Sequence, residues 1–213
     1  MNKRIIVASA GATAVAATLI FGGVTVANSI NADNSTAPAA SKDDKGIKKA
    51  DVSPNTKKQV KTDKFDNVVK NVGEEAGLVD DKTKRSLFSL KVNKITTATS
   101  CPSRVKGKTF APENGIFLIV DVKATMPAKA ATAAQVEYMP LIAETFAVEG
   151  PDGELDRTVS SEAAWSCFSD KDLAPAVVNP GQTVTGKIVL DVKSTTGKLV
   201  YDPENNGGWS WKY

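Results

Sequence analysis

The chain of 213 residues contains no histidine, which removes the commonest general base and the commonest zinc ligand together. A Ser-His-Asp or Cys-His catalytic arrangement cannot be assembled from it. No glycine-rich phosphate cradle is present, and no Ser-x-x-Lys stands where a cleft is expected; Ser194 to Lys198 reads as a polar turn. Closely spaced metal ligands are missing as well. Asp202-Pro203-Glu204-Asn205-Asn206-Gly207 places oxygens like the start of a calcium loop, but the twelfth position is Tyr213, where a bidentate carboxylate is needed. It therefore reads as a polar loop between strands, as does the acidic hairpin of Glu149, Asp152, Glu154 and Asp156. The sequence thus offers no catalytic, cofactor-binding or metal-binding residues. The surviving enzymatic route is a carboxylate pair of the glycosidase kind. Glu144 is the only acid in an apolar stretch, and it has no evident second.

A strong charge bias is also lacking where it would matter. The whole chain carries +3, but Lys3 and Arg4 supply two of those charges. Asn28 to Lys84 holds 11 basic against 10 acidic residues, and Arg85 to Tyr213 holds 14 of each. A neutral folded part without a basic face argues against nucleic acid as a partner.

Long apolar runs are confined to the N-terminus. After the basic start Met1 to Arg4, Ile5 to Ala27 carries no charge, which marks a targeting segment and not part of a fold. Thr25-Val26-Ala27 suits signal-peptidase cleavage before Asn28. The run of roughly 20 apolar residues is also long enough to remain as a membrane anchor. No cysteine follows it, so a lipid anchor is excluded. Either outcome delivers the remainder outside the cytoplasm, secreted or held at the membrane by residues 1–27.

Residues 28–62 are Asn, Ser, Thr, Ala, Pro, Lys and Asp with isolated apolar residues, a composition that cannot offset chain entropy and predicts a disordered tether. Residues 63–84 read as a short amphipathic helix and connector. Phe65, Val68, Val69 and Val72 fall at helical spacing, with Thr62 as N-cap and Gly73 as stop.

From residue 85 the period changes from helical to two. Phe88, Leu90 and Val92 alternate with Ser89, Lys91 and Asn93. Ile116, Leu118, Val120 and Val122 form one face of a central strand, with Phe117 and Ile119 on the other, so cover is expected on both sides there. Gly150-Pro151-Asp152-Gly153 suits a hairpin after Glu144 to Val148. Val159 to Pro175, with Trp165 and Cys167, reads as a crossing between sheets. Asn179-Pro180-Gly181-Gln182 fits a type II turn, after which Val184, Ile188, Leu190 and Val192 share one parity. Gly186 on that same parity predicts a bulge or a close backbone approach. Strands at Leu199 to Tyr201 and Trp209 to Tyr213 close the pattern. About seven short strands predict an all-β fold, an immunoglobulin-like antiparallel sandwich over residues 85–213.

The strand FLIVDVK (117–123), the stretch NPGQTVTGKIVLDV, then LVYDP and a closing GGWSW resemble the DUF4352 family of secreted immunoglobulin-like domains of Gram-positive bacteria. The resemblance spans roughly Ser86 to Tyr213. It implies an extracytoplasmic sandwich with an N-terminal signal or lipid anchor and no established activity, so no functional residue is carried over. The missing lipobox cysteine departs from many members.

Cys101 and Cys167, the only two cysteines of an exported chain, are expected to pair. Trp209, Trp211 and Tyr213 share one parity of the last strand. They are either aromatic fill of the core or a surface platform for a sugar or a partner. The expected function is a non-catalytic extracytoplasmic module that binds or adheres at the cell envelope, its partner an envelope protein or a glycan. The alternative is a structural or accessory domain that spaces or shields another protein.

Overall fold

The computed structural model describes residues 60–130 and 137–213. The apolar segment 1–27, residues 28–59 of the tether and most of the Ala-rich turn expected at 127–135 lie outside the described residues.

The described residues form an immunoglobulin-like β-sandwich of two main sheets. In chain order the strands are β1 (Val68–Lys70), β2 (Glu75–Val79), β3 (Ser86–Ala98), β4 (Cys101–Pro102), β5 (Thr109–Phe110), β6 (Ile116–Met126) and β7 (Met139–Pro140). There follow β8 (Phe146–Glu149), β9 (Leu155–Asp156), β10 (Val177–Val178), β11 (Gln182–Val192), β12 (Lys198–Tyr201) and β13 (Trp209–Lys212). One sheet runs β1-β13-β12-β8-β9 and the other β11-β6-β3-β2, with β7-β10 and β4-β5 as small ladders beside them. All pairings are antiparallel except β1 with β13. A four-residue helix, α1 (Glu162–Trp165), and a 3-10 turn at Ala143–Thr145 interrupt the strands.

β6 lies between β11 and β3, in register Leu118 with Leu190 and Val120 with Ile188 on one side and Leu90 with Ala124 on the other. Its even-numbered residues pack with Phe88, Phe146, Leu199, Tyr201, Trp209 and Trp211 into one core between the sheets. The rings of Phe146 and Tyr201 stand 5.0 Å apart and those of Tyr201 and Trp209 6.0 Å. Each such side chain taken from water contributes roughly 1.5–3 kcal/mol. The odd-numbered Phe117 and Ile119 face the other way, under a smaller cluster.

The helix expected near 63–72 is not there. Asp63 Oδ1 instead accepts the Phe65 and Asn67 N–H groups, both at 3.0 Å, and Asp66 takes a φ of 61°. Asn67 Oδ1 accepts the Gly208 N–H at 2.7 Å, and Val68 N–H bonds Gly208 O at 2.9 Å. The tight turn starts β1 along the open edge of β13. Val68 then faces the core while Val69 faces away from it. A helix of this length has little stability of its own, and the sheet edge supplies backbone partners that an isolated turn lacks. β1 and β2 thus move the start of the sandwich ahead of residue 85. Lys61 and Thr62 already belong to its edge, through Val69 N–H to Lys61 O at 2.8 Å and the bridge of Thr62 to Val68.

The turn at Asn179 forms as expected, with Gly181 at φ 84° and Gln182 N–H on Asn179 O at 3.0 Å. The expectation at Gly186 resolves to a close backbone approach. A Cβ there would stand 2.3 Å from Ala174 N, because residues 172–174 cross directly over β11 and bond Lys187.

Candidate functional site

The outward face of β6 and β11 organises the site. Phe117 and Val189 are buried there beneath Cys101, Ala163, Ala164 and Cys167, with Phe110, Phe168 and Leu173 around them. The cover over the strand's second face therefore comes from the 98–110 and 159–173 excursions. Cys101 and Cys167 are joined by a disulfide, with their Cα atoms 5.6 Å apart. Beside it Ser103 bridges Cys167, and Phe168 N–H bonds Pro102 O at 2.7 Å.

A second knot, of polar groups, sets α1. Asp191 is fully buried, and its carboxylate accepts the N–H groups of Glu113 (2.6 Å) and Asn114 (3.0 Å) and the hydroxyl of Ser161 (2.7 Å). Ser161 Oγ then caps the helix by accepting Ala164 N–H at 3.0 Å, and Glu113 Oε1 accepts Ala163 N–H at 2.8 Å. These three donors are the partners that a carboxylate taken out of water needs.

The last residue of α1 is Trp165, 69% exposed. An indole left in water on a helix fixed from beneath is an uncommon disposition, since large aromatics ordinarily bury. The Arg104 guanidinium lies 4.8 Å from its ring centre and pairs with Asp170 at 3.1 Å, and the Arg104 backbone N–H bonds Ser166 O at 3.3 Å. The 3-10 turn lines the same groove as Trp165; Ile142 is exposed there and Thr145 Oγ1 bonds Ile142 O at 2.7 Å. Leu141 N–H on Ala176 O ties this wall to the segment Leu173–Ala176. Between the walls lies a groove of about 400 Å³, with Ile188 and Val189 of β11, Pro175 and Ala143 among its lining. That volume falls in the range of small-ligand and side-chain pockets.

The groove's charges are nearly all engaged. Lys187 pairs with Asp121, Arg104 with Asp170, and Glu144 alone has no partner among the described residues. Glu144 is exposed, and the other carboxylate lining the groove, Asp170, has a side chain 85% exposed. Among the described residues no buried carboxylate pair lines the groove.

The remaining sequence candidates lie elsewhere. Trp209 and Trp211 are 2% and 0% exposed and belong to the core, so of the two readings of the last strand core fill holds for them and the surface platform does not. The physical reason is register: Trp209 pairs with Val68 and Tyr201, whose side chains face inward. Tyr213 is half-buried against that core and its hydroxyl meets Ser194 O at 3.4 Å. Burial pushes its phenol up to about 12, and burial raises Tyr201 further. In the 202–207 loop Asp202 accepts the Asn206 and Gly207 N–H groups and pairs with Arg157 at 3.1 Å. Its oxygens are thus occupied by the turn itself. In the acidic hairpin Asp156 is held below the usual carboxylate range by its hydrogen bond from Lys193, a contact of 2.7 Å. No cluster of three metal-ligating side chains occurs among the described residues, and no helix among them is long and apolar enough to cross a membrane.

Sequence reasoning placed Trp165 in a crossing and did not single it out. The available signal was an aromatic outside any strand pattern, two residues from a disulfide cysteine and behind a Ser-Glu helix start.

The class defined by this architecture is an immunoglobulin-like sandwich with a lateral groove beside a disulfide-held flap. No family model matches the chain, and no curated protein matches it. Among solved structures it is similar to MPT63, a secreted protein from Mycobacterium tuberculosis, at 15% identity and a TM-score of 0.45. The match covers 69% of this chain and 98% of that one. The fold assignment rests on the strand order and register above and not on that likeness.

Proposed function

We propose that the protein is a non-catalytic, extracytoplasmic recognition module that binds a component of the cell envelope through the Trp165 groove. The observation that carries this reading is the exposed indole of Trp165, held on a helix whose cap and floor are hydrogen-bonded and disulfide-linked. Exposed Trp and Arg side by side are the residue types that dominate binding hot spots. The apolar start of the chain and the Cys101–Cys167 disulfide support an oxidising address. The absence of histidine from the sequence and the solvent-exposed acids of the groove favour binding over catalysis.

The structural or accessory reading also has an observation in its favour, the burial of Trp209 and Trp211. One comparison separates the two readings. Trp165→Ala should leave folding intact and reduce retention of the purified protein on isolated envelopes by at least about tenfold, the loss expected of a hot spot. Equal retention of both proteins would leave the spacer reading.

A further inference from the structure

We propose that the groove takes an extended peptide segment of a partner protein, one carrying an aliphatic side chain next to a lysine or arginine. This deepens the binding reading above and rests on it. Three features of the groove carry it.

The first is an interrupted sheet edge. β11 is the outer strand of its sheet, and two returning segments cover its edge: Lys187 bonds Asp172 and Ala174, and Asp191 N–H bonds Val159 O at 2.8 Å. In an antiparallel strand every second residue turns its N–H and C=O outward, so Val189 does so between them. Its N–H and C=O meet no backbone partner outside the sheet among the described residues. The chain leaves the edge at Val159, passes over the outer face as α1 and the disulfide, and returns at Asp172. That detour leaves a gap one residue long at Val189, whose side chain is buried while the residue lines the groove. One residue of an extended backbone can exchange its N–H and C=O with Val189 there.

The second is the apolar lining on either side of that gap. Trp165 and Ile142 both line the groove with exposed apolar surface, so an aliphatic side chain entering it would leave water against them. The third is charge. Among the described residues lining the groove, Glu144 is the one unpaired charged side chain, while Arg104 and Lys187 are already engaged by Asp170 and Asp121. A sugar would need several free donors and acceptors converging on its hydroxyls, whereas among the described residues the groove leaves free only the Val189 backbone pair and the Glu144 carboxylate. Those suit one backbone residue of a peptide, with an aliphatic side chain and one complementary charge.

The test uses the full-length exported protein and fluorescein-labelled ten-residue peptides of alternating valine and a variable residue, either lysine, serine or glutamate. Polarisation titrations should rank lysine over serine over glutamate, with about tenfold between the ends, the sum of one attraction gained and one repulsion removed at an exposed rim. Glu144→Gln should weaken the lysine peptide about three- to fivefold and leave the serine peptide unchanged. Glu144→Lys should reverse the ranking. N-methylation of the central peptide amides should abolish binding, because edge pairing requires their N–H groups.

No peptide binding, or binding indifferent to Glu144 and to N-methylation, would overturn the inference. So would an oligosaccharide from digested envelope perturbing Trp165 where peptides do not, or self-association through Trp165 in sedimentation. In each of these cases continued Trp165-dependent retention on envelopes would leave the binding-module reading standing.

Discussion

The two faces of β6 are held down by different physics. Inward, Leu118, Val120 and Val122 meet Phe146, Tyr201, Trp209 and Trp211, large side chains that exclude water by area alone. Outward, Phe117 and Ile119 meet two cysteines, two alanines and Val189, with Phe110, Phe168 and Leu173 only partly buried around them, so less area offsets the entropy of ordering the excursions above. That side is secured by a covalent link across 66 residues and by the Asp191 knot. The inner core needs no cross-link because its strands are joined by register; the outer flap needs one because its short pieces are barely in a sheet. The candidate groove lies on the flap side, where local opening costs least.

The strongest way to break the comparison is in the inner core. Phe146→Ala should cost about 3–5 kcal/mol by transfer and cavity terms, with the whole sandwich losing its urea midpoint together. If only the flap melted, the two faces would not differ in the way described. Next comes the disulfide: replacing Cys101 and Cys167 by Ser should cost about 2–4 kcal/mol. Hydrogen exchange should rise across 98–110 and 159–175 while Leu118 and Leu190 stay protected. Uniform loss of protection would contradict a separable flap.

A finer probe is Asp191→Asn, which converts an acceptor-only carboxylate into a group that cannot accept three donors on two charged oxygens. About 1.5–3 kcal/mol should be lost, the scale of hydrogen bonds to a charged group. Exchange should rise first at Glu113, Asn114 and Ala164. Alkaline titration addresses the opposite side. Tyr201 and Tyr213 have folded-state pKa values raised by burial, so each contributes stability that is full below the unfolded value near 10. Proton loss from the unfolded chain alone then lowers stability as pH rises, for Tyr213 through the window from about 10 to about 12. The smallest stability effect belongs to Trp165→Ala, within about 0.5 kcal/mol for a surface change, although binding should depend on it.

Where the chain reverses after Asn179 and where β6, β11, β12 and β13 lie was legible because period-two patterns and turn residues are local. The 63–72 stretch was not. Phe65, Val68, Val69 and Val72 satisfy helical spacing, yet two adjacent valines and an Asp63-Asn67 turn suit an edge strand equally well. Only the free side of β13 decides between them. The parity of Trp209 and Trp211 was correct, but parity by itself does not say which face is in water.

The sequence by itself determined an all-β chain with its cysteines available to one another, without histidine chemistry and with β6 apolar on both faces. These follow from composition and from side chains alternating along a strand. Tertiary structure alone decided that β1 docks parallel to β13, that the last aromatics face the core, and that Arg104, Ile142, Glu144 and Trp165 meet at one groove. Those residues come from three segments far apart in the chain, and only the disulfide, the sheet edge and the buried Asp191 carboxylate bring them together.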